Sequence, residues 1–301
     1  MPSPSSFLEL PWLSPLAMIG RGALGGAAYL GSLGALIISA VRSVYAPVGP
    51  VPPFVPTLTR QTSSILAMGI PLVGLVHIGM GSFLSMQAYF GGTFVDGTGA
   101  VVGVGLIRNI APLMTGLTLA GLLAALFTPE LRGRFTQTLD ADPRELTDRD
   151  PAPGQPVAAA SRSPEPARLA AVRLSAGVIA GLVLSVWGVL VGTVVGWQVA
   201  QSLLGVSTDS FFSMFLETLW IRDVAGLAIK GGAFALFAAL FACHEGLSGS
   251  AEAPGSPVPW AACRAACYAT VATLALNSVW FLLVYHAGPA FGPTLLAPPG
   301  L

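Results

Sequence analysis

Long apolar stretches constrain the fold of this 301-residue chain more than any other feature of its sequence. A helix needs about 20 consecutive, mainly apolar residues to cross the hydrocarbon core of a bilayer, and several segments here are longer. Charged residues make up only 9% of the sequence and hydrophobic residues 53%. Soluble domains carry roughly 25% charged residues. The sequence therefore predicts an all-α, multi-pass membrane protein.

One polar segment interrupts the apolar sequence. The residues from Glu130 to Arg173 include 14 of the 28 Asp, Glu, Lys and Arg side chains. Residues 151–166 are rich in Pro, Ala and Ser, a composition typical of disordered linkers. We expect a polar loop over residues 128–168, where a soluble partner can dock.

Five apolar segments are predicted to cross the membrane, namely residues 63–90, 101–127, 169–204, 224–243 and 262–285. A further segment, Pro15 to Ala40, carries Arg21 and either crosses the membrane or lies in its interface. Residues 46–56 are Pro-rich and are expected to form a non-helical linker. The predicted organisation is an N-terminal part (1–60), a membrane domain (61–290) and a C-terminal tail (291–301).

The basic residues predict the orientation, because Lys and Arg concentrate in cytoplasmic loops. With the polar loop in the cytoplasm, ten of the 14 basic residues lie on that side: Arg42, Arg60, Arg132, Arg134, Arg144, Arg149, Arg162, Arg168, Arg173 and Arg264. The C-terminus is then expected on the outer side.

Small and polar residues within the spans indicate helix packing. Glycines 177, 181, 188, 192 and 196 recur at small-xxx-small spacing, which lets helix backbones approach closely. We expect His77 to pack between helices through a hydrogen bond. His244 and Glu245 are expected to follow the fourth span as an interfacial cap.

Two basic residues fall inside apolar segments, where a charge is costly. Arg108 lies in the second span and Lys230 in the fourth, and neither has an acid one turn away on its own helix. Either they face a cavity or an anionic ligand, or they extend to the interface and pair with backbone carbonyls.

The sequence contains no pattern that predicts catalysis. It has no HExxH, no Walker A motif GxxxxGK[ST], no Ser-His-Asp order and no paired carboxylates. Cys243, Cys263 and Cys267 have too few accompanying ligands for a zinc site and are interpreted as packing residues. A net charge of zero gives no electrostatic basis for binding nucleic acid. We therefore expect no enzymatic activity, no cofactor and no metal, and any ATP must be bound by another chain.

At this point the sequence resembles a known family. Residues 105–121, Gly-Leu-Ile-Arg-Asn-Ile-Ala-Pro-Leu-Met-Thr-Gly-Leu-Thr-Leu-Ala-Gly, resemble the second-span pattern of the MlaE/YrbE permeases. Further segments resemble the family in the same order, at residues 129–133, 135–141, 219–247 and 276–283. The matches are spread over about residues 60–290.

These proteins are permease subunits of ABC transporters that serve MCE-domain lipid carriers. The resemblance implies five spans, an N-terminal interfacial helix, a coupling helix after the second span and a location in the bacterial inner membrane. It also implies the partners: membrane lipid, a cytoplasmic ABC ATPase subunit, an MCE-domain protein and a second permease chain, identical or related. On this basis the hypothesised lipid-binding residues are Arg108, Asn109 and Lys230, and the hypothesised ATPase-coupling residues are Glu130, Thr136 and Asp140.

The chain also departs from the family pattern. Asn109 stands where a Glu is usual, and Asn277 where an Asp is common. Pro129 precedes Glu130, and the sequence after Asp140 lacks the family's compact return to the third span. The alternative function is therefore a non-transporting membrane scaffold or assembly subunit of such a complex.

Overall fold

A computed structural model describes residues 14–45, 53–90, 97–140, 165–219, 221–248 and 258–286, and all structural statements below refer to these ranges. Every regular element within them is helical, which confirms the all-α prediction. In chain order the elements are α1 (Ser14–Tyr45), α2 (Phe54–Phe90), α3 (Thr98–Gly105), a π-helical segment (Leu106–Ile110), α4 (Ala111–Asp140), α5 (Glu165–Leu204), α6 (Thr208–Glu217), α7 (Ile221–Ser248), α8 (Val258–Trp280) and a second π-helical segment (Phe281–His286).

Six helical stretches are long and apolar enough to cross a membrane: Gly20–Tyr45, Phe54–Ala88, Thr98–Gly133, Pro166–Leu204, Arg222–Leu247 and Val258–Val284. Five of them cover all or nearly all of the predicted spans, and the first contains most of the ambiguous N-terminal segment. The chain is a multi-pass membrane protein by the length and composition of these helices.

The helix ends that flank the polar loop lie side by side. Glu130 of α4 forms an ion pair with Arg173 of α5 at 2.8 Å. Thr128 of α4 donates a hydrogen bond to the carbonyl of Ala242 in α7 at 3.2 Å. The C-terminal ends of α4 and α7 and the N-terminal end of α5 therefore form one end of the bundle, called here the loop end.

Helix α1 runs across this loop end. The Tyr29 hydroxyl donates to Glu245 Oε1 at 3.0 Å, near the end of α7, and the Ser43 carbonyl accepts from Arg168 at 3.1 Å, near the start of α5. At ~1.5 Å per residue these two points of α1 are about 21 Å apart along its axis. Both points contact the same end of the bundle, and α1 is also long and apolar enough to cross a membrane.

Glycines bring α5 into close contact with its neighbours. A Cβ added at Gly81 of α2 would lie 2.2 Å from the carbonyl oxygen of Gly192 in α5. A Cβ at Gly181 of α5 would lie 2.6 Å from the carbonyl oxygen of Gly231 in α7. The predicted close packing through the α5 glycines is therefore confirmed, on two neighbouring helices. By contrast, the glycines of α1 have no such neighbour within 4 Å.

Three local expectations need correction. Pro56 lies inside the first turn of α2, because an N-terminal helix position has no N–H bond to lose, so the predicted linker ends earlier. His244 and Glu245 lie within α7 and are buried rather than forming a cap beyond it. His77 is buried and packs against Gly188 of α5, as expected of a residue between helices, but its Nδ1 contacts the Val73 carbonyl of its own helix at 2.7 Å.

Candidate functional site

Arg108 forms the centre of a polar network inside the bundle. Its Nε and Nη2 donate to the two carboxylate oxygens of Asp223, each at 2.9 Å, and Nη2 also donates to the Thr218 carbonyl at 3.3 Å. The Asp223 side chain is fully buried, whereas 22% of the Arg108 side chain is exposed. This two-point geometry fixes the plane of the guanidinium.

The short helix α6 brings Asp223 to this position. Gly205, at φ +69°, allows the chain to turn out of α5, and the Ser207 hydroxyl then accepts from the Ser210 N–H at 3.1 Å as an N-cap. Phe211 and Phe215 are buried, and glycines of α3 leave room for the Phe211 backbone at Gly99 and for the Phe215 ring at Gly103. The chain is thereby returned to the bundle, and α7 begins with Asp223 in its first turn, where an acid is favoured by the helix dipole.

Lys230 belongs to the same network. It is buried, with 1% of its surface exposed. Its ammonium donates to the backbone carbonyl of Arg108, lies 3.5 Å from Asn277 Oδ1 and sits 5.1 Å above the ring of Phe281. Its contacts within hydrogen-bonding range are therefore neutral acceptors.

The local sequence explains why the Arg108 carbonyl is available. In an α-helix that carbonyl would accept from the N–H of residue 112, but Pro112 has no N–H. The backbone instead adopts a π-helical segment over Leu106–Ile110, in which the Ala111 N–H reaches the Leu106 carbonyl. Such π segments occur frequently at functional sites.

Asn109 connects the π segment to α8. The Asn277 side-chain Nδ2 donates to Asn109 Oδ1 at 3.0 Å. The network of Arg108, Asn109, Asp223, Lys230 and Asn277 thus joins α7 and α8 to the π segment between α3 and α4. We call these five residues the charge network.

The structure brings together the three residues hypothesised to bind lipid, Arg108, Asn109 and Lys230. The sequence reasoning missed Asp223, which supplies the acid that Arg108 lacks on its own helix. Asp223 could have been recognised as an acidic residue at the start of the same apolar helix that carries Lys230. Asn277 was noted only as a departure from the family pattern.

The hypothesised coupling residues lie elsewhere, toward the loop end of α4. Glu130 pairs with Arg173, whose buried guanidinium also lies over the Phe127 ring at 5.7 Å. The backbone of α4 continues through Thr136 to Asp140, whose side chains fall outside the described part of the structure. Within residues 98–140 no separate coupling helix breaks away from α4.

A second polar cluster holds α1 at the loop end. Glu245 accepts from the Tyr29 hydroxyl and from Arg264, whose Nη2 is 2.7 Å away. The Ser32 hydroxyl is 2.7 Å from His244 Nε2. Ser32 and His244 line an open cleft of about 370 Å³ between α1 and α7.

The cysteines show no arrangement for metal binding in the part of the chain that is described. Cys243 is buried, as expected of a packing residue, but Cys263 and Cys267 are exposed on α8 and do not pack inside this chain. No group of three His, Cys, Asp or Glu residues in the described ranges is placed to hold a metal ion.

The chain is similar in sequence to known permease proteins. Residues 161–283 match the family model described as "Permease MlaE". The chain is 25% identical over 239 residues to the "Intermembrane phospholipid transport system permease protein MlaE" of Haemophilus influenzae, covering 77% of this chain and 84% of that protein. It is 24% identical over 241 residues to a "Probable ABC transporter permease protein" of Rickettsia felis, covering 79% and 85%. Over these ranges the chain is similar to MlaE-type permeases.

Proposed function

We propose that this chain is the membrane subunit of an ABC-type transporter that moves phospholipid or a similar amphiphile at the bacterial inner membrane. The names of its relatives in Haemophilus influenzae and Rickettsia felis support this proposal. The observation that carries it is the charge network, a set of ionised and amide side chains placed inside helices of membrane length.

The charge network is proposed to hold the lipid head group. Placing Arg or Lys at the centre of a membrane helix costs ~2.5–3.5 kcal/mol on insertion scales, so such residues generally serve a function. Arg108 keeps part of its side chain exposed while Asp223 fixes its orientation. The exposed part of the Arg108 side chain is the proposed contact with the head group, together with the neighbouring residue Asn109. Buried Lys230 is proposed to act on the lipid indirectly. Its positive charge attracts the head group, and its hydrogen bond to the Arg108 carbonyl holds that part of the backbone in position.

Helix α4 is proposed to connect this site to ATP hydrolysis in a partner chain. Its 30 residues extend about 45 Å at ~1.5 Å per residue, from the π segment to the loop end. A cytoplasmic ATPase acting on the α4 region of Glu130, Thr136 and Asp140 would move the π segment as well. This would shift the lipid site between two states, which is the basis of alternating access.

The remaining partners complete the proposed assembly. Two copies, or this chain and a related permease, would enclose the lipid cavity, and an MCE-domain protein would receive or deliver lipid at the end opposite the loop end. The loop end is proposed to face the cytoplasm, as the distribution of basic residues predicts. In this arrangement the chain itself hydrolyses no ATP.

Reconstitution tests the proposal. The chain would be purified with its ATPase partner in proteoliposomes that contain a fluorescent phospholipid, and ATP-dependent lipid movement would be recorded. Compared per assembled complex, Arg108→Ala should reduce both bound and moved lipid, and Arg108→Lys should retain part of each, because it keeps the charge without the two-point geometry. Arg264→Ala, at the loop end, provides a control for loss of a basic residue outside the site. An assembled complex that moves no lipid with ATP would support the scaffold alternative instead.

A further inference from the structure

The charge network contains more positive than negative side chains. Arg108 and Lys230 each carry one positive charge, and Asp223 is the single acid among the five residues. Asn109 and Asn277 are amides and carry none. Counted over these five residues, the network has one positive charge in excess.

Asp223 is already committed to Arg108. Both of its carboxylate oxygens accept from that guanidinium, and its side chain is fully buried. Its field reaches Lys230 on the same helix, but one carboxylate cannot neutralise two cations. The other described acids at this end, Asp209 and Glu217, are exposed on α6, where solvent screens them.

The neighbours of the Lys230 ammonium are dipoles rather than charges. They are the Arg108 carbonyl, the Asn277 amide oxygen and the Phe281 ring. These groups solvate the cation well enough to keep it buried, but they leave its net charge uncancelled. In surroundings of low dielectric constant, that charge acts over a longer distance than it would in water.

We infer that the site selects lipids whose head group carries a net negative charge over zwitterionic lipids. An anionic head group beside the partly exposed Arg108 side chain would cancel the excess charge of the network, whereas a zwitterionic head group would bring its own cation into the same field. This inference rests on the proposed function, since it assumes that a lipid head group occupies the site.

The experiment measures lipid amount and lipid composition separately. The chain would be reconstituted in nanodiscs that contain equal amounts of phosphatidylglycerol and phosphatidylethanolamine, then extracted in mild detergent, and the retained lipid would be identified by mass spectrometry. We expect phosphatidylglycerol to be enriched roughly tenfold over phosphatidylethanolamine, the ratio that a modest charge interaction produces. Inclusion of oleate in a second preparation shows whether a carboxylate head group is retained as well as a phosphodiester.

One nearly isosteric substitution removes the excess charge. Asn277→Asp places a carboxylate where the amide oxygen now lies 3.5 Å from the Lys230 ammonium. Asn109 can rotate its amide and donate to the new carboxylate, so the hydrogen bond between the two residues is retained. We expect Asn277→Asp to lose the enrichment, measured as the ratio of phosphatidylglycerol to phosphatidylethanolamine in the lipid that it retains. Asn277→Ala, which removes the same amide without adding charge, measures how much of the loss comes from the missing amide, and the loss in Asn277→Asp should exceed it.

The two proposals fail in different ways. Retention of no lipid by the folded wild-type chain would contradict the lipid site itself. Retention of lipid with no preference for phosphatidylglycerol would overturn the charge selection and leave the lipid site standing. Equal enrichment in the wild type and Asn277→Asp would also overturn it, because the preference would then arise outside the network.

Discussion

Replacing either member of the Arg108–Asp223 pair should destabilise the protein, and by unequal amounts. Two charge-assisted hydrogen bonds at 2.9 Å join the partners, each worth ~1.5–3 kcal/mol in proteins. Removing one partner of a buried pair costs ~3–5 kcal/mol, because the other charge is left without compensation. The unequal exposure of the two side chains decides where in that range each substitution falls.

Arg108→Met leaves the Asp223 carboxylate fully buried, so we expect a loss of about 4–5 kcal/mol in the free energy of unfolding. Asp223→Ala leaves Arg108 with 22% of its side chain exposed, where water can reach it, and should cost about 3 kcal/mol, the low end of that range. The double variant leaves neither charge and should cost less than Arg108→Met alone.

The free energies can be measured by reversible unfolding in mixed SDS and detergent micelles, as a double-mutant cycle. Glu130 and Arg173 provide the matched control pair at the loop end, where 37% of the Glu130 side chain is exposed and the coupling should be smaller, about 1 kcal/mol or less. Additive costs for Arg108→Met and Asp223→Ala, or a larger cost for Asp223→Ala, would refute the reasoning from burial.

Three further predictions concern packing, orientation and nucleotide binding. Gly81→Ala should destabilise the chain by ~1–3 kcal/mol, because its Cβ would lie 2.2 Å from the Gly192 carbonyl, whereas Gly79→Ala has open space and should have little effect; thermal unfolding in detergent distinguishes the two. In a background without native cysteines, a cysteine at Ser161 should react with a membrane-impermeant maleimide only from the cytoplasmic side. A cysteine at exposed Ser213 should react only from the outside. Labelling of the cysteine at position 161 from the outside would show that the orientation is the reverse. The purified chain alone should bind no ATP in equilibrium dialysis, and one bound nucleotide per chain would contradict the assignment of hydrolysis to a partner.

The helical spans were predictable because apolar length is a local property of the sequence. Arg108 and Lys230 stood out for the same reason, since a charge within an apolar segment is rare and costly. The contact between these two residues was not predictable from their spacing, because the Lys230 ammonium donates to the Arg108 carbonyl, which is 122 positions away in sequence.

Other features depended on contacts that no local pattern encodes. Asp223 is 115 positions from Arg108, and its position near a helix start gave it the appearance of an ordinary dipole-stabilising acid. Helix α6 is only ten residues long and half polar, so it was absent from the predicted elements. It becomes stable by burying Phe211 and Phe215 against glycines of α3, which are more than 100 positions earlier.

Because of the contacts at the loop end, the stability of the helical bundle depends little on the length of the polar loop. The Glu130–Arg173 pair and the Thr128–Ala242 hydrogen bond fix where the chain leaves α4 and where it returns in α5. Once those points are fixed, doubling the length of the connecting chain adds only ~0.6 kcal/mol of closure entropy. Residues 141–164 are therefore a site where evolution, or a protein engineer, can insert a whole folded domain without disturbing the bundle.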